Sequence, residues 1–282
     1  MEDVSTQDSQ LKTHNSRLKT KDAKGFLTDT TLCIGCKACE VACKQWNQLP
    51  MDGLTWEGTS YDNTHALGAT TWRHVTFAEV TGAGGPGGQV NWLMMSDVCK
   101  HCAHAGCLEA CPTGATIRSE FNTVVVQQDV CNGCGYCVPS CPYGVIEVDT
   151  TAGSGDGKAH KCTLCYDRLS DDLEPACAKA CPTDSIQFGD VVELQARADR
   201  RVADLRARGL QAYHYGTEEN GATNGIGSLG ASFILLDDSH KYNLPEAPTL
   251  PQNRTLPGVI AMTLAAVGLS LATAWSLRDT EQ

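Results

Sequence analysis

Cys131-Asn-Gly-Cys134-Gly-Tyr-Cys137-Val-Pro-Ser-Cys141-Pro142 is a C-x2-C-x2-C-x3-C-P run, and just before it stands a second quartet with a longer middle loop, Cys99-Lys-His-Cys102-Ala-His-Ala-Gly-Cys107-Leu-Glu-Ala-Cys111-Pro112. Three thiolates so closely spaced on a glycine-relaxed loop can cap three irons of one 4Fe-4S cubane. The fourth leaves on a short helical turn that the proline stops, because the residue before a proline is pushed out of helical angles. In the two-cluster version of this run the fourth cysteine ligates the other cluster. Residues 114–130, between the quartets, read as a strand over 115–117, a turn over 119–122 and a β-branched strand over 124–126. A turn-linked strand pair between two cluster loops is what crosswise ligation requires. The expected ligand sets are therefore Cys99, Cys102, Cys107 and Cys141 for one cluster, and Cys131, Cys134, Cys137 and Cys111 for a second. Zinc sites pair two short C-x2-C knuckles and do not call for the C-x3-C-P ending, so zinc fits less well, and disulfides less still.

The whole chain repeats the device. Its sixteen cysteines fall into four groups of four, at 33–43, 99–111, 131–141 and 162–181, with none left over. Four cubanes with four thiolates each use all of them. Aromatic residues are only 6% of the chain, so the clusters are expected to replace part of the hydrophobic core, and metal binding is then folding free energy. With 22 Lys and Arg against 33 Asp and Glu the net charge is −11, which argues against a nucleic-acid partner.

Outward from the central pair, residues 1–25 form a polar extension with Lys12, Arg17, Lys19, Lys21 and Lys24 scattered among Ser, Thr and Asp. It has neither an apolar h-region nor a twin arginine, so no export signal is expected, though a chain can be exported together with a partner that bears one. The first quartet, Cys33-Ile-Gly-Cys36-Lys-Ala-Cys39-Glu-Val-Ala-Cys43-Lys44, has lysine where the others have proline, and its helix is expected to run on through Gln45 and Trp46. Residues 51–92 lack cysteine and read as an insertion with a strand over 73–80, a flexible loop over 82–88, and Trp56, Trp72 and Trp92 in packing roles.

The fourth quartet is Cys162-Thr-Leu-Cys165, an eleven-residue loop, then Cys177-Ala-Lys-Ala-Cys181-Pro182. The gap from Cys141 to Cys162 is about as long as that from Cys111 to Cys131, so length does not decide which quartets pair. Content does: after one strand at 145–148 the linker turns glycine-rich, with no second strand expected to complete a unit. The first and fourth quartets are left for each other. That assigns Cys33, Cys36, Cys39 and Cys181 to one cluster and Cys162, Cys165, Cys177 and Cys43 to another.

Beyond the cysteines, residues 191–209 carry Val192, Leu194, Ala198, Val202 and Leu205 at helical spacing, an amphipathic surface helix with arginines on its solvated face, and 231–236 read as a last strand. Residues 245–255 form a proline-rich spacer, and 256–277 run without a charge, long enough at about 1.5 Å per residue to cross a bilayer of roughly 30 Å. Pro257 sits where a helix tolerates it, Trp275 falls near one boundary, and a polar tail, 278–282, closes the chain. The expected architecture is α+β: a four-cluster domain over 26–244 made of two nested ferredoxin-like double-cluster units, plus one C-terminal transmembrane helix.

No Ser-His-Asp set, Rossmann glycine signature or phosphate loop is present, so the chain reads as a conductor of electrons without a catalytic residue of its own. Lys100, His101 and His104, inside the second quartet, are candidates to raise its potential by favouring the reduced state, or are simply solvated. The phrases quoted for the first and second quartets, the first extended by Gln45-Trp46-Asn47, together with His160-Lys-Cys-Thr-Leu-Cys-Tyr-Asp-Arg-Leu169, closely resemble the iron-sulfur (beta) subunit of respiratory formate dehydrogenase, from about Phe26 to the end. The wider group also serves dimethyl sulfoxide, nitrate and polysulfide reductases and a membrane-bound nickel-iron hydrogenase. The resemblance implies the same crosswise ligation of all sixteen cysteines. It also implies a catalytic alpha subunit with a molybdenum or tungsten bis-pterin cofactor, a membrane cytochrome b gamma subunit passing electrons to quinone, and a cluster domain outside the bacterial inner membrane. The alternatives are the beta subunit of a nickel-iron hydrogenase or of another molybdopterin oxidoreductase and, from a different class, a membrane-tethered metal protein without redox function.

Overall fold

The computed structural model describes residues 23–53, 64–81, 90–151, 155–217 and 225–278. Strand β1 (Lys24–Asp29) leads into helix α1 (Ala38–Asn47), which runs through Gln45 and Trp46 as expected where no proline follows Cys43. A long hairpin follows, β2 (Arg73–Thr81) against β3 (Val90–Val98). The second and third quartets carry the short helices α2 (Gly106–Glu109) and α3 (Cys137–Ser140), separated by the hairpin β4 (Thr116–Arg118) and β5 (Val124–Val126). Next come β6 (Glu147–Val148), β7 (Ala159–His160), α4 (Tyr166–Ser170) and α5 (Ala176–Lys179). The last third adds β8 (Ile186–Asp190), α6 (Val191–Ala207), β9 (Tyr213–Tyr215), β10 (Ala231–Leu235) and α7 (Thr255–Arg278).

The one sheet of more than two strands among the described residues runs β8-β1-β10-β9, with β1 antiparallel to β8 and parallel to β10. Helix α6 covers it. The Asp190 carboxylate accepts from the Val192 amide at 3.0 Å and caps the helix start. Leu194, Ala198, Val202 and Leu205, one stripe at helical spacing, close over Leu27 and Ile234. Val192, expected on that stripe, is half exposed, because in the first turn it lies off the face that 194, 198, 202 and 205 define.

Two expectations need correction. The insertion holds two strands: β3, which the glycine-rich sequence before it obscured, pairs residue for residue with β2 and delivers the chain to Cys99. The loop expected over 82–88, and Trp56, lie outside the described residues. Trp72 packs, its Nε1 donating to the Ala69 carbonyl at 2.8 Å and its ring stacking on His160, whereas Trp92 is half exposed. The linker between the third and fourth quartets also contains a second strand, since β6 pairs with β7. Gly157 at φ 69° lets the return leg turn back, and its amide donates to the Asp149 carbonyl at 2.9 Å. Strand count therefore does not distinguish the two possible pairings of quartets, and only the placement of the cysteines can.

The mixed α/β body is joined to one long apolar helix. None of the side chains described on α7 is buried, and at 24 residues it spans about 36 Å. The spacer before it runs along the third quartet: Pro245, Pro248 and Pro251 share a groove with Pro139 and Pro142. Leu250 is buried there, and a methyl on Gly106 would sit 3.1 Å from its Cδ2.

Candidate metal centres

The first C-x-x-C loop of each quartet makes the same turn. The residue before its second cysteine is left-handed in all four quartets: Gly35 (φ 65°), His101 (φ 44°), Gly133 (φ 71°) and Leu164 (φ 59°). Only two are glycine, so in the second and fourth quartets a side chain is held where about 1–3 kcal/mol of strain is usual, and the surroundings must enforce it. Three residues after the last cysteine the pattern recurs at Gly114, Gly144 and Asp184, in the quartets whose cysteine precedes proline. Short helices then aim the remaining thiols inward, Cys39 and Cys43 from α1, Cys107 from α2, Cys137 from α3 and Cys177 from α5.

Cys33, Cys36, Cys39 and Cys181 line one cavity, and Cys99, Cys102, Cys107 and Cys141 line another. Cys43, Cys162, Cys165 and Cys177 crowd together: burial first, and then their mutual repulsion, pushes the Cys43 and Cys162 thiols far up and Cys165 to about 11. Cys137, raised to about 11 chiefly by burial, feels Cys131, Cys134 and Cys111. Cys107 is pushed to about 12 in the same way, by burial and by Cys99, Cys141 and Cys137. Thiols held this close in apolar surroundings cannot ionise together without a cation to bind. Cys111, at the surface, is the exception: what burial it has opposes ionisation, but hydrogen bonds from Thr116 and Thr113 bring it to about 7.

The groups follow one another. Cys39 of the first feels the charge of Cys177, Cys162 that of Cys99, and Cys107 that of Cys137. Cys36 and Cys134, in the two outermost groups, are exposed, while Cys43, Cys162, Cys165 and Cys177 are buried. Two buried cations, Lys100 and Lys161, and the half-buried Arg118 stand among them. Lys100 pairs with Asp97 and lies over the Tyr143 and Phe233 rings, at 5.1 and 5.4 Å. Lys161 gives its ammonium hydrogens to the Val124 and Cys162 carbonyls; burial opposes its charge, but Cys99, Cys107 and Cys162 hold its pKa up. Arg118 Nη2 donates to the Cys102 and Ala103 carbonyls, both at 2.8 Å.

Of the second quartet's three candidates, Lys100 and His101 are buried and His104 is exposed. The His101 Nδ1 accepts from the Val124 amide at 3.1 Å, which leaves a hydrogen on Nε2. That Nε2 is buried without a partner, on a residue lining the cavity of Cys99, Cys102, Cys107 and Cys141. Burial, and then Lys161 and Arg118, keep the ring neutral. An orphaned donor beside four soft thiol ligands fits an iron-sulfur centre, whose sulfurs accept hydrogen bonds. Sequence reasoning missed Arg73 and Lys161. The second stands immediately before Cys162, a readable signal, whereas the first is far from any cysteine in the chain.

Comparison with known proteins agrees. Two models of a 4Fe-4S dicluster domain match, one over residues 32–115 and the other over residues 90–191. The formate dehydrogenase iron-sulfur subunit of Haemophilus influenzae is 38% identical over 255 residues, covering 87% of this chain and 77% of the relative. The iron-sulfur subunit of nitrate-inducible formate dehydrogenase of Escherichia coli is 37% identical over 246 residues, 86% of this chain and 79% of the relative. More distant is the B subunit of the anaerobic dimethyl sulfoxide reductase of Escherichia coli, 34% identical over 173 residues, 61% of this chain and 76% of the relative. With sixteen cysteines in four groups, the chain carries four 4Fe-4S clusters.

Proposed function

The chain belongs to the family of formate dehydrogenase iron-sulfur subunits, and on that premise we propose that it relays electrons from formate, oxidised at a molybdenum or tungsten pterin subunit, to a cytochrome b and quinone in the membrane. The observation that carries this is the coupling of the thiol groups in series: Cys39 and Cys177, Cys162 and Cys99, and Cys107 and Cys137 repel one another's charge from group to group.

The four ligand sets are Cys33, Cys36, Cys39 and Cys181; Cys43, Cys162, Cys165 and Cys177; Cys99, Cys102, Cys107 and Cys141; and Cys111, Cys131, Cys134 and Cys137. The two cavities lined by complete sets and the mutual repulsions of the other thiols support this division. When bound, the clusters supply one-electron transfer at potentials tunable from roughly −700 to +450 mV. The chain's own residues do the rest. They hold the thiols in series, exclude water from the two middle groups and set buried lysines and arginines where added negative charge would fall.

The two ends suit different partners. Because the spacer before α7 lies along Pro139 and Pro142, the membrane helix departs from the third quartet, whose surface residues Val130 and Tyr136 flank Cys134. We assign this end to the membrane partner. Ile34 and Val41, both more than half exposed, flank Cys36 at the opposite end and suit a catalytic subunit. By the resemblance to respiratory formate dehydrogenase, and not from these ends, we take the body to face the outside of the bacterial inner membrane, with α7 as its single span.

The test is to isolate the complex anaerobically and follow bleaching of the broad cluster absorption after adding formate to one sample and hydrogen to another. Rapid bleaching by formate is the expected result. Bleaching by hydrogen alone, with nickel and no pterin present, would reassign the chain to a hydrogenase; zinc in place of about sixteen iron atoms would remove the relay altogether.

A further inference from the structure

Arg73 opens strand β2, in the segment whose sequence suggested only an insertion, yet it is the largest wholly buried side chain among the described residues, 1% exposed. It forms no ion pair with a carboxylate there. Its Nη1 donates to the Ser96 hydroxyl at 2.9 Å and weakly to the Ser96 carbonyl at 3.4 Å, and the guanidinium lies over the Phe26 ring at 4.7 Å. Nε and Nη2 are buried without any partner. Leaving N–H donors of a charged group unsatisfied is costly, so their acceptor is expected among atoms bound at this place.

The surroundings identify that acceptor. Four thiols act on the guanidinium, those of Cys177, Cys39, Cys162 and Cys43, and they hold its proton against the large opposing effect of burial. They come from two different ligand sets, Cys39 from one and the other three from its neighbour. Ser96 Oγ, which accepts from Arg73, also lies 3.2 Å from Cys39 Sγ, so its own hydrogen is free to point at that sulfur. The hairpin thus carries a fixed positive charge to the seam between two centres, and hands one of them a hydrogen bond through Ser96.

We propose that Arg73 is a shared tuning residue, its guanidinium donating hydrogen bonds to sulfur of both centres of the first and fourth quartets and raising the reduction potentials of both. Each centre gains one electron on reduction, and the guanidinium, which keeps its protons at any working pH, compensates the added charge without a proton moving. The assignment rests on the ligand sets above. The charge acts on two centres and not one, which is the part a merely structural arginine would not produce.

The experiment uses the assembled complex in three forms, wild type, Arg73→Lys and Arg73→Gln, with redox titration followed by paramagnetic resonance and the four signals assigned through ligand variants such as Cys36→Ser and Cys134→Ser. Iron per chain is measured alongside. Arg73→Gln is expected to lower the reduction equilibrium of two centres about tenfold each, which for one electron is about 59 mV, leaving the two centres of the second and third quartets in place. Arg73→Lys, which keeps the charge, is expected to restore most of the shift. Unmoved potentials at full iron content, or equal shifts in the two variants, overturn the proposal. A variant that fails to assemble is bypassed by wild-type complex carrying guanidinium-labelled [15N]arginine: nitrogen couplings are expected on the reduced signals of both centres, and their absence on either also overturns it. If the ligand sets themselves are wrong, Cys36→Ser and Cys43→Ser will disturb the wrong signals whatever Arg73 does.

Discussion

Cys39 Sγ lies 3.2 Å from Ser96 Oγ, so a strand absent from the sequence expectation supplies a hydrogen-bond donor to a cysteine of the first quartet. Replacing that hydroxyl removes a bond worth about 1 kcal/mol in favour of the more negative state. Ser96→Ala is expected to lower the potential of the centre held by Cys39 by several-fold in its reduction equilibrium. Iron content should be unchanged, and titration followed by paramagnetic resonance checks both.

The ligand sets predict which substitutions share a phenotype. Cys43→Ser should disturb the same resonance signal as Cys162→Ser, because the two thiols crowd one another, and Cys111→Ser the same signal as Cys137→Ser. If Cys43→Ser instead perturbed the centre of Cys99 and Cys102, the division into sets would be wrong.

A chain that stops after Pro251 keeps all sixteen cysteines and loses α7. Expressed with its partners, it should retain about sixteen iron atoms and four signals but leave the membrane fraction on gentle washing. Retention after washing would assign the main anchor to another subunit.

His214 gives a pH test outside the cysteine quartets. Burial lowers its pKa, and Asp199, 3.0 Å from Nδ1, only partly offsets this. A histidine whose folded pKa lies below its unfolded value contributes stability that is present above about 6.5 and is lost as pH falls below it, since the unfolded chain then binds the proton more readily. Thermal inactivation of wild type should therefore accelerate, as pH falls below about 6.5, more steeply than that of His214→Gln. Parallel profiles would remove His214 as a cause.

Sequence spacing was enough to read the quartets, the helix α6 and the terminal span, because each depends on contacts within a few residues. The first helix ran on through Trp46 for the simplest reason, that lysine follows Cys43 where proline follows the other closing cysteines. What escaped was non-local. Strand β3 was hidden behind a glycine-rich stretch, and β7 is only two residues long, too short to leave a pattern. Arg73 was invisible because its neighbours at the site stand at positions 39, 43, 162 and 177, and nothing in a basic residue after a tryptophan announces such company. The backbone repeat was half legible: Gly35 and Gly133 signal the left-handed turn, whereas His101 and Leu164 make it without glycine.

The place of β1 in the sheet bears on how the protein is made. That strand, near the start of the chain, is bonded on one side to β8 and on the other to β10, so neither edge is satisfied until β8 has been made, and the second only when the ribosome has reached residue 235. Residues of the second and third quartets, with their own short hairpin at 116–126, meet one another within a much shorter length of chain. The first quartet's strand thus lacks both its neighbours over a stretch of synthesis in which the middle of the molecule already has its own hairpin. Factors that load iron and sulfide have an early customer and a late one in the same polypeptide, and the late one becomes available only after most of the body has been translated.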